Sequence, residues 1–450
     1  MSVNVREIIA KALYELETGD TLSHYLIRDI LEKYDYLDDR DKAFIKRVTE
    51  GTLARKLTLD YVLNGISDKP VSKCKPIIRV ILRMSAYQLM YLDKVPASAV
   101  CDEAVKLCEK LSRREFCPFV NAVLRKLSAK GEEAFDLSGV EDRLTRLSIT
   151  YSVPLWIVNM LEKEQGDTET LLKGLTESRG ISVRIIDKAK ESQLVKSWTE
   201  AGLNFTESKY VKGAYTFDFV GSPDRIPGFK EGFFIIQDES SMLAALATGV
   251  KEGDDLTVLD MCAAPGGKTS FIAGLMNPKG HVLSFDVSKM KTSMINENIE
   301  RLGLTNVTVS VNDASVLNES LVEKGDVVLI DAPCSGLGVI GRKSDLRYNI
   351  SNEGMRDICA LQKVIVSTAA NYVKPGGILV YSTCTIHKAE NEKVVKYITD
   401  NLPFGGDSLR PVIPELFEGN IERASDYALQ LRPDRDGTDG FFIARFKKKA

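Results

Sequence analysis

The chain has 450 residues, 44% of them hydrophobic and 27% charged, so it can bury real cores and is expected to divide into two or three domains. A formal charge of −3 argues against a generic nucleic-acid glue while leaving room for local basic surfaces. No run approaches the roughly 20 apolar residues of a membrane span, and the opening MSVNVREIIAKALYELE carries charges where a signal peptide needs an apolar stretch, which predicts a cytoplasmic protein without a membrane partner. The eight cysteines never form CxxC and only three histidines accompany them, so neither a zinc module nor a secreted disulfide framework is supported; reduced thiols and no metal are expected.

To about residue 130 the periodicity is helical: Val5, Ile8, Ile9, Ala12, Leu13 and Leu16 fall on one face. TLSHYLIRDILEKY, DKAFIKRVTEGTLARKLTLDYVL, PIIRVILRMSAYQLMYL and ASAVCDEAVKLCEKLS continue the pattern, with Gly19, Gly65, Pro70 and Pro96 as punctuation. The run KPVSKCKPIIRVILR holds five basic residues and no acidic one, and Lys75, Arg79 and Arg83 stand at four-residue steps. On a helix they form either a phosphate-binding stripe or an ordinary solvated face. A second basic cluster, Arg113, Arg114, Arg125, Lys126 and Lys130, favours RNA.

Between about 140 and 230 the elements are mixed: GISVRII and YVKGAYTFDFV suit strands and ESQLVKSWTEAG a helix, which predicts a small α+β module. Trp156 and Trp198 suit its core better than a base-stacking platform, and GSPDRIPGF reads as the linker into the next domain. Beyond it LTVLDMC, HVLSFDV, VTVSVND, DVVLIDA and GILVYST alternate with helical segments, the mark of a doubly wound, mainly parallel sheet that binds ligands beyond its carboxyl ends. The terminal DGFFIARFKKK is expected to add an antiparallel edge strand.

VLDMCAAPGGKTSFIAGLM reads as a strand, a small-residue loop and a helix whose first amides can meet a carboxylate. Neither a Walker loop nor GxGxxG is present, which speaks against nucleoside triphosphate and nicotinamide. Asp286 is placed to accept from both hydroxyls of a ribose, Asp313 from an adenine amino group, and Asp331 ends the fourth strand; together they predict an adenosine-containing cofactor. Cys334 in DAPCSG and Cys384 in VYSTCT end neighbouring strands and are expected to open on the same cleft. A thiolate there suits methylation of pyrimidine carbon 5, which is a poor nucleophile until something adds to carbon 6.

DMCAAPGGKT, DAPCSGLGV, YSTCTIHKAENE and GTDGFFIARF, in this order and spacing, resemble the RsmB/Sun ribosomal RNA cytosine-carbon-5 methyltransferases of the wider RsmB/NOP group. VPASAVCDEAVKLCEKL and FVNAVLRKL resemble the RNA-binding domain shared with NusB, so the likeness spans nearly the whole chain. It implies an all-α NusB-like domain over 1–138, a small α+β, RRM-like module over 139–232, and an α/β Rossmann-like class I methyltransferase domain over 233–450. It further implies S-adenosylmethionine held by Cys262, Ala263, Ala264, Pro265, Gly266, Gly267, Lys268, Asp286, Asp313 and Asp331, with Cys384 as nucleophile and Cys334 assisting release. The implied substrate is small-subunit ribosomal RNA, at cytosine 967 of 16S rRNA, with no obligate protein partner. In GVIGRKSDLRYN the family more often has arginine at Gly341, histidine at Lys343 and proline at Ser344, in a loop expected to border the RNA. The rival readings are a transfer RNA methyltransferase, against which the helical domain speaks, and a noncatalytic antitermination-type RNA-binding factor, against which both cysteines speak.

Overall fold

The computed structural model describes residues 4–19, 21, 23–177, 179–218, 223–418 and 425–450. Leu22, and Phe219 to Ser222 at the join of the YVKGAYTFDFV run and its following loop, lie outside the described residues. Residues 1–176 with 340–349 form one compact unit, and 177–339 with 350–450 form the other.

The first unit is helical. Asn4 starts helix Val5–Thr18 by accepting from the amides of Arg6 and Glu7, and Asp38 starts Asp39–Ala54 by accepting from Asp41. Ile9, Val48, Leu59, Leu63, Ile81, Leu82, Val120 and Leu124 meet in its core. The DKAFIKRVTEGTLARKLTLDYVL run makes two helices, Asp39–Ala54 and Lys56–Ile66, and Gly65 lies inside the second rather than ending it. Helices Arg143–Tyr151, Leu155–Gln165 and Thr168–Thr176 belong to the same unit. Thr58 Oγ1 donates to the Ile149 carbonyl (2.6 Å) and the Leu57 amide to Ser152 Oγ (2.9 Å), stitching helix Arg143–Tyr151 to Lys56–Ile66. Compactness therefore divides the chain after Thr176, whereas the sequence reading drew its boundaries after 138 and 232.

Within the basic stripe Arg79 and Arg83 are drawn into ion pairs, whereas Lys75 stays exposed. Arg83 is 6% exposed and grips Asp60 with two nitrogens (2.6 and 2.7 Å) while a third donates to Glu17 Oε2 (2.7 Å). Arg79 pairs with the other oxygen of Glu17 and donates to the Ser72 carbonyl, and Lys75 lies over the Phe116 ring. Removing one partner of such a buried network leaves uncompensated charge, a loss of about 3 to 5 kcal/mol. Arg83→Gln is therefore expected to lower thermal stability by that order while leaving the salt dependence of RNA binding unchanged; a flattened salt slope in a stable variant would restore the phosphate role.

Residues 340–349, expected to border RNA, are anchored in this helical unit. The Arg347 guanidinium is 2% exposed and donates to the carbonyls of Tyr151 (3.2 Å), Ser152 (3.4 Å) and Ile340 (2.7 Å). The Ser23 amide, at the start of helix Ser23–Lys33, donates to Asp345 Oδ2 (2.7 Å). Arg342 and Lys343 remain exposed.

The second unit carries two sheets. β1 (Ile181–Ile185), β2 (Phe205–Glu207), β3 (Ala214–Phe217) and β4 (Phe234–Ile236) pair antiparallel in the order β2-β3-β1-β4, with helix Glu191–Glu200 between β1 and β2. β4 lies beyond GSPDRIPGF, so that loop is an internal connection of the small sheet rather than the linker out of it. Trp198 is fully buried there, edge-on to Tyr215, Phe217 and Phe234, with its indole N–H donating to the Pro227 carbonyl (2.9 Å), so it is core and cannot stack on a base.

The large sheet comprises β5 (Thr257–Asp260), β6 (His281–Asp286), β7 (Val307–Val311), β8 (Gly325–Asp331), β9 (Val373–Thr383), β10 (Phe404–Gly406), β11 (Ala428–Leu431) and β12 (Phe441–Lys448). Its order is β10-β12-β9-β8-β5-β6-β7, with β11 also on β12; β5 to β9 run parallel, and β12 is antiparallel to β9. The terminal strand is thus antiparallel as expected but interior, because β10 and β11 cover its other side. β5 has β6 on one flank and β8 on the other, so the strand order reverses there and opens a crevice at the carboxyl ends.

Candidate active site

The crevice is lined first by the loop between β5 and helix Gly267–Met276. Gly266 has φ +102°, and a Cβ there would sit 3.1 Å from Ile295, so the loop needs glycine to pass this close to its neighbour. Gly267 opens the helix, whose first amides lack helical acceptors. Cys262 contributes backbone rather than a reactive thiol, since burial pushes its thiol up. Asp260, passed over by the sequence reading, is fully buried; its Oδ2 accepts from Thr269 Oγ1 (2.7 Å), and burial pushes its carboxyl up to about 7. Asp260 fastens the helix to the strand it leaves.

Asp286 ends β6 and is 4% exposed. Its Oδ2 accepts from the Ala264 amide (3.0 Å), and its Oδ1 accepts from the Val287 amide (2.7 Å) and Lys291 Nζ (3.1 Å). A carboxylate offers about four acceptor directions, so one further hydroxyl fits directly and a second needs Lys291 to swing away. Beside it Val287 and Met290 keep 56% and 59% of their surface exposed, an apolar shelf of the kind a flat base covers. Asp313 lies two residues past the end of β7 rather than on it. It is exposed, and the Ser315 hydroxyl and amide hold its carboxyl below the usual range. The glycine loop, buried carboxylate, shelf and free helix amides fit a nucleoside carrying a terminal carboxylate.

The reactive end is built on β8 and β9, which pair Asp331 opposite Ser382. Asp331 Oδ2 accepts from Lys268 Nζ (2.6 Å), Ser382 Oγ donates to its Oδ1 (2.8 Å), and Lys268 also donates to Ser241 Oγ (2.8 Å). The side chain of Lys268 is therefore committed to Asp331 and Ser241. Cys334 and Cys384 meet as expected, with their sulfurs 3.2 Å apart. The Cys384 thiol alongside it, together with burial, holds the Cys334 thiol well above its usual range. Either thiol can donate to the other across this contact. The Cys384 carbonyl accepts from the Gly338 amide (3.0 Å), and a Cβ at Gly338 would collide with the Gly440 carbonyl at 1.8 Å, so glycine is required for that approach.

Sequence reasoning missed Gln237, Ser241, Gln362, Glu390 and Asn391, all at this end of the sheet. The signal for two of them stood in the AENE that closes YSTCTIHKAENE; buried acidic and amide side chains need partners, and these find theirs on the two cysteine loops.

Among the described residues no group of His, Cys, Asp or Glu is placed to hold a metal, and no helix is long and apolar enough to cross a membrane. A switch-point crevice with this cradle and a thiol pair defines a Rossmann-like methyltransferase. The family model for 16S rRNA methyltransferase RsmB/F matches residues 247–447, and that for the NusB family matches 3–129. The chain is 36% identical over 452 residues to the probable ribosomal RNA small subunit methyltransferase B of Bacillus subtilis, covering 99% of each, and it belongs to the RsmB/F methyltransferase family. It is similar in structure to PH0851 (TM-score 0.83, 26% identical, both chains covered in full) and to a methyltransferase homologue from Pyrococcus horikoshii (TM-score 0.58, 28% identical, 69% of this chain and 100% of that one). The protein is an S-adenosylmethionine-dependent enzyme.

Proposed function

We propose that the enzyme methylates carbon 5 of a cytosine in 16S rRNA, the one numbered 967, through a covalent bond to Cys384. The observation that carries this reading is the pair of thiols 3.2 Å apart at adjacent strand ends, beside an aspartate whose two oxygens are held by Lys268 and Ser382. The cofactor, when bound, supplies the methyl group from its sulfonium. Cys262 to Lys268, Asp286, Asp313 and Asp331 are assigned to hold it, mainly through the loop backbone and the Asp286 carboxylate.

The target cytosine must be unstacked or flipped, because stacking hides carbon 6. The Cys384 thiol gives its proton to water, the thiolate sulfur adds to carbon 6, and the electron pair of the 5,6 double bond makes carbon 5 nucleophilic. Asp331, fixed from both sides, hydrogen-bonds the ring edge and steadies the adduct. After methylation the carbon 5 proton goes to water, the double bond re-forms, and the bonding pair returns to the Cys384 sulfur, to which Cys334 offers its S–H.

RNA binding is assigned to the NusB-like helices of 1–138 and to the module over 139–232, and methyl transfer to 233–450. Arg113, Arg114, Arg125, Lys126 and Lys130 are all exposed, which supports a phosphate-facing surface there in place of the ion-paired Arg79 and Arg83. Mapping of 5-methylcytosine in 16S rRNA from cells with and without the protein tests the assignment. The expected result is loss of one modified cytosine, at position 967, restored by the parent and not by Cys384→Ala. Loss from transfer RNA instead would overturn the substrate, and no loss anywhere would overturn the activity on cytosine.

A further inference from the structure

Glu390 and Asn391 are consecutive and fully buried, yet each holds a different cysteine loop. Glu390 Oε2 accepts from the Ser335 amide (2.8 Å) and from Gln362 Nε2 (3.2 Å), and Oε1 accepts from Ser335 Oγ (2.6 Å). Gln362 Nε2 also donates to the Pro333 carbonyl (2.9 Å), so both neighbours of Cys334 are tied to one carboxylate and one amide. Toward the other loop Glu390 itself makes one long bond, accepted from Thr385 Oγ1 (3.4 Å), and the two loops also meet through the Ser335 and Thr385 hydroxyls (2.7 Å). Asn391 does the opposite. Its Oδ1 accepts from Thr383 Oγ1 (2.6 Å) and its Nδ2 donates to the Thr385 carbonyl (3.0 Å), bracketing Cys384, while a second bond to Gln430 Oε1 (2.8 Å) fixes the amide itself.

From this asymmetry we infer that Glu390 and Asn391 are positioning residues with separable roles: Glu390, with Gln362, sets Cys334 for release of the methylated base, and Asn391 sets Cys384 for attack. The inference rests on the covalent reading above. Its physical basis is that reacting groups must be held to a fraction of an ångström, and buried hydrogen bonds with no water to replace them give that stiffness.

The test uses the full-length protein, 16S rRNA and radiolabelled S-adenosylmethionine, with covalent protein–RNA species resolved on a denaturing gel. Glu390→Gln keeps the shape but turns an amide donor toward donors. It is expected to form adduct and transfer methyl within a few-fold of the parent, and to slow release about 10- to 100-fold, so that labelled adduct accumulates. Asn391→Ala is expected to lower attack by a similar factor and to accumulate none. Cofactor affinity stays unchanged in both, which a general loosening of the fold would not allow. Gln362→Leu, which removes the amide joining Glu390 to the Pro333 carbonyl and touches nothing on the Cys384 loop, decides the Cys334 arm if Glu390→Gln does not fold, with slowed release supporting the inference and parental release overturning it. Identical behaviour of the Glu390 and Asn391 variants, or parental release in Glu390→Gln, also overturns it. Cys334→Ala separates the two levels: if it accumulates labelled adduct and the Glu390 and Gln362 variants do not, the inference alone falls, and if it accumulates none, the covalent reading falls with it.

Discussion

Cys384→Ala is expected to abolish methyl transfer and leave no covalent enzyme–RNA species, whereas Cys334→Ala is expected to accumulate one carrying label from the cofactor. The two sulfurs touch, so a purely structural pair would respond alike to loss of either. They differ in what braces them: Glu390 and Gln362 hold the residues on either side of Cys334, and Asn391 those on either side of Cys384. Removing the nucleophile takes away the one route by which carbon 5 is activated, so the loss should reach the background of the assay. The reverse pattern on a denaturing gel, adduct in Cys384→Ala and none in Cys334→Ala, would exchange the roles. Full activity in both would end covalent catalysis for this enzyme.

The second large effect concerns Lys268 and Asp331, and it is asymmetric. Lys268 is 8% exposed and loses its one carboxylate in Asp331→Ala, whereas Asp331 keeps 27% of its side chain open to solvent and retains the Ser382 hydroxyl in Lys268→Met. An ammonium left buried and unpaired is the more costly remnant, so Asp331→Ala is expected to destabilise by about 3 kcal/mol and Lys268→Met by roughly 1 kcal/mol. The double variant should be more stable than Asp331→Ala alone, because no buried charge remains. Thermal unfolding of the three proteins checks this through a double-mutant cycle. A double variant as unstable as the sum of the singles would mean that the 2.6 Å contact carries no coupling. All three should lose methyl transfer, since Asp331 faces the ring edge in the proposed reaction.

What could be read without coordinates was what short-range pattern encodes. Alternating apolar runs and helices specify a parallel sheet, such sheets bind at their carboxyl ends, and so Asp286, Asp331, Cys334 and Cys384 could be gathered from their places at strand ends. The meeting of the two thiols follows from β8 and β9 being neighbours, which the order of motifs already implied.

Partners distant in sequence were decided only by the tertiary structure. Lys75, Arg79 and Arg83 stand at four-residue steps in a run without acids, yet Glu17 and Asp60 arrive from other helices and draw Arg79 and Arg83 into an ion network that leaves only Lys75 exposed. Local composition cannot announce that, because a charge's neighbours in space are set by packing. β4 joins the small sheet after a loop that reads as a linker, and β12 becomes interior once β10 and β11 close over it, because strand pairing depends on which edges remain open. Glu390 and Asn391 carry the same lesson at the site: their side chains hold loops that begin 50 residues apart, at Cys334 and Cys384, a relation that exists only after the sheet has brought those loops together.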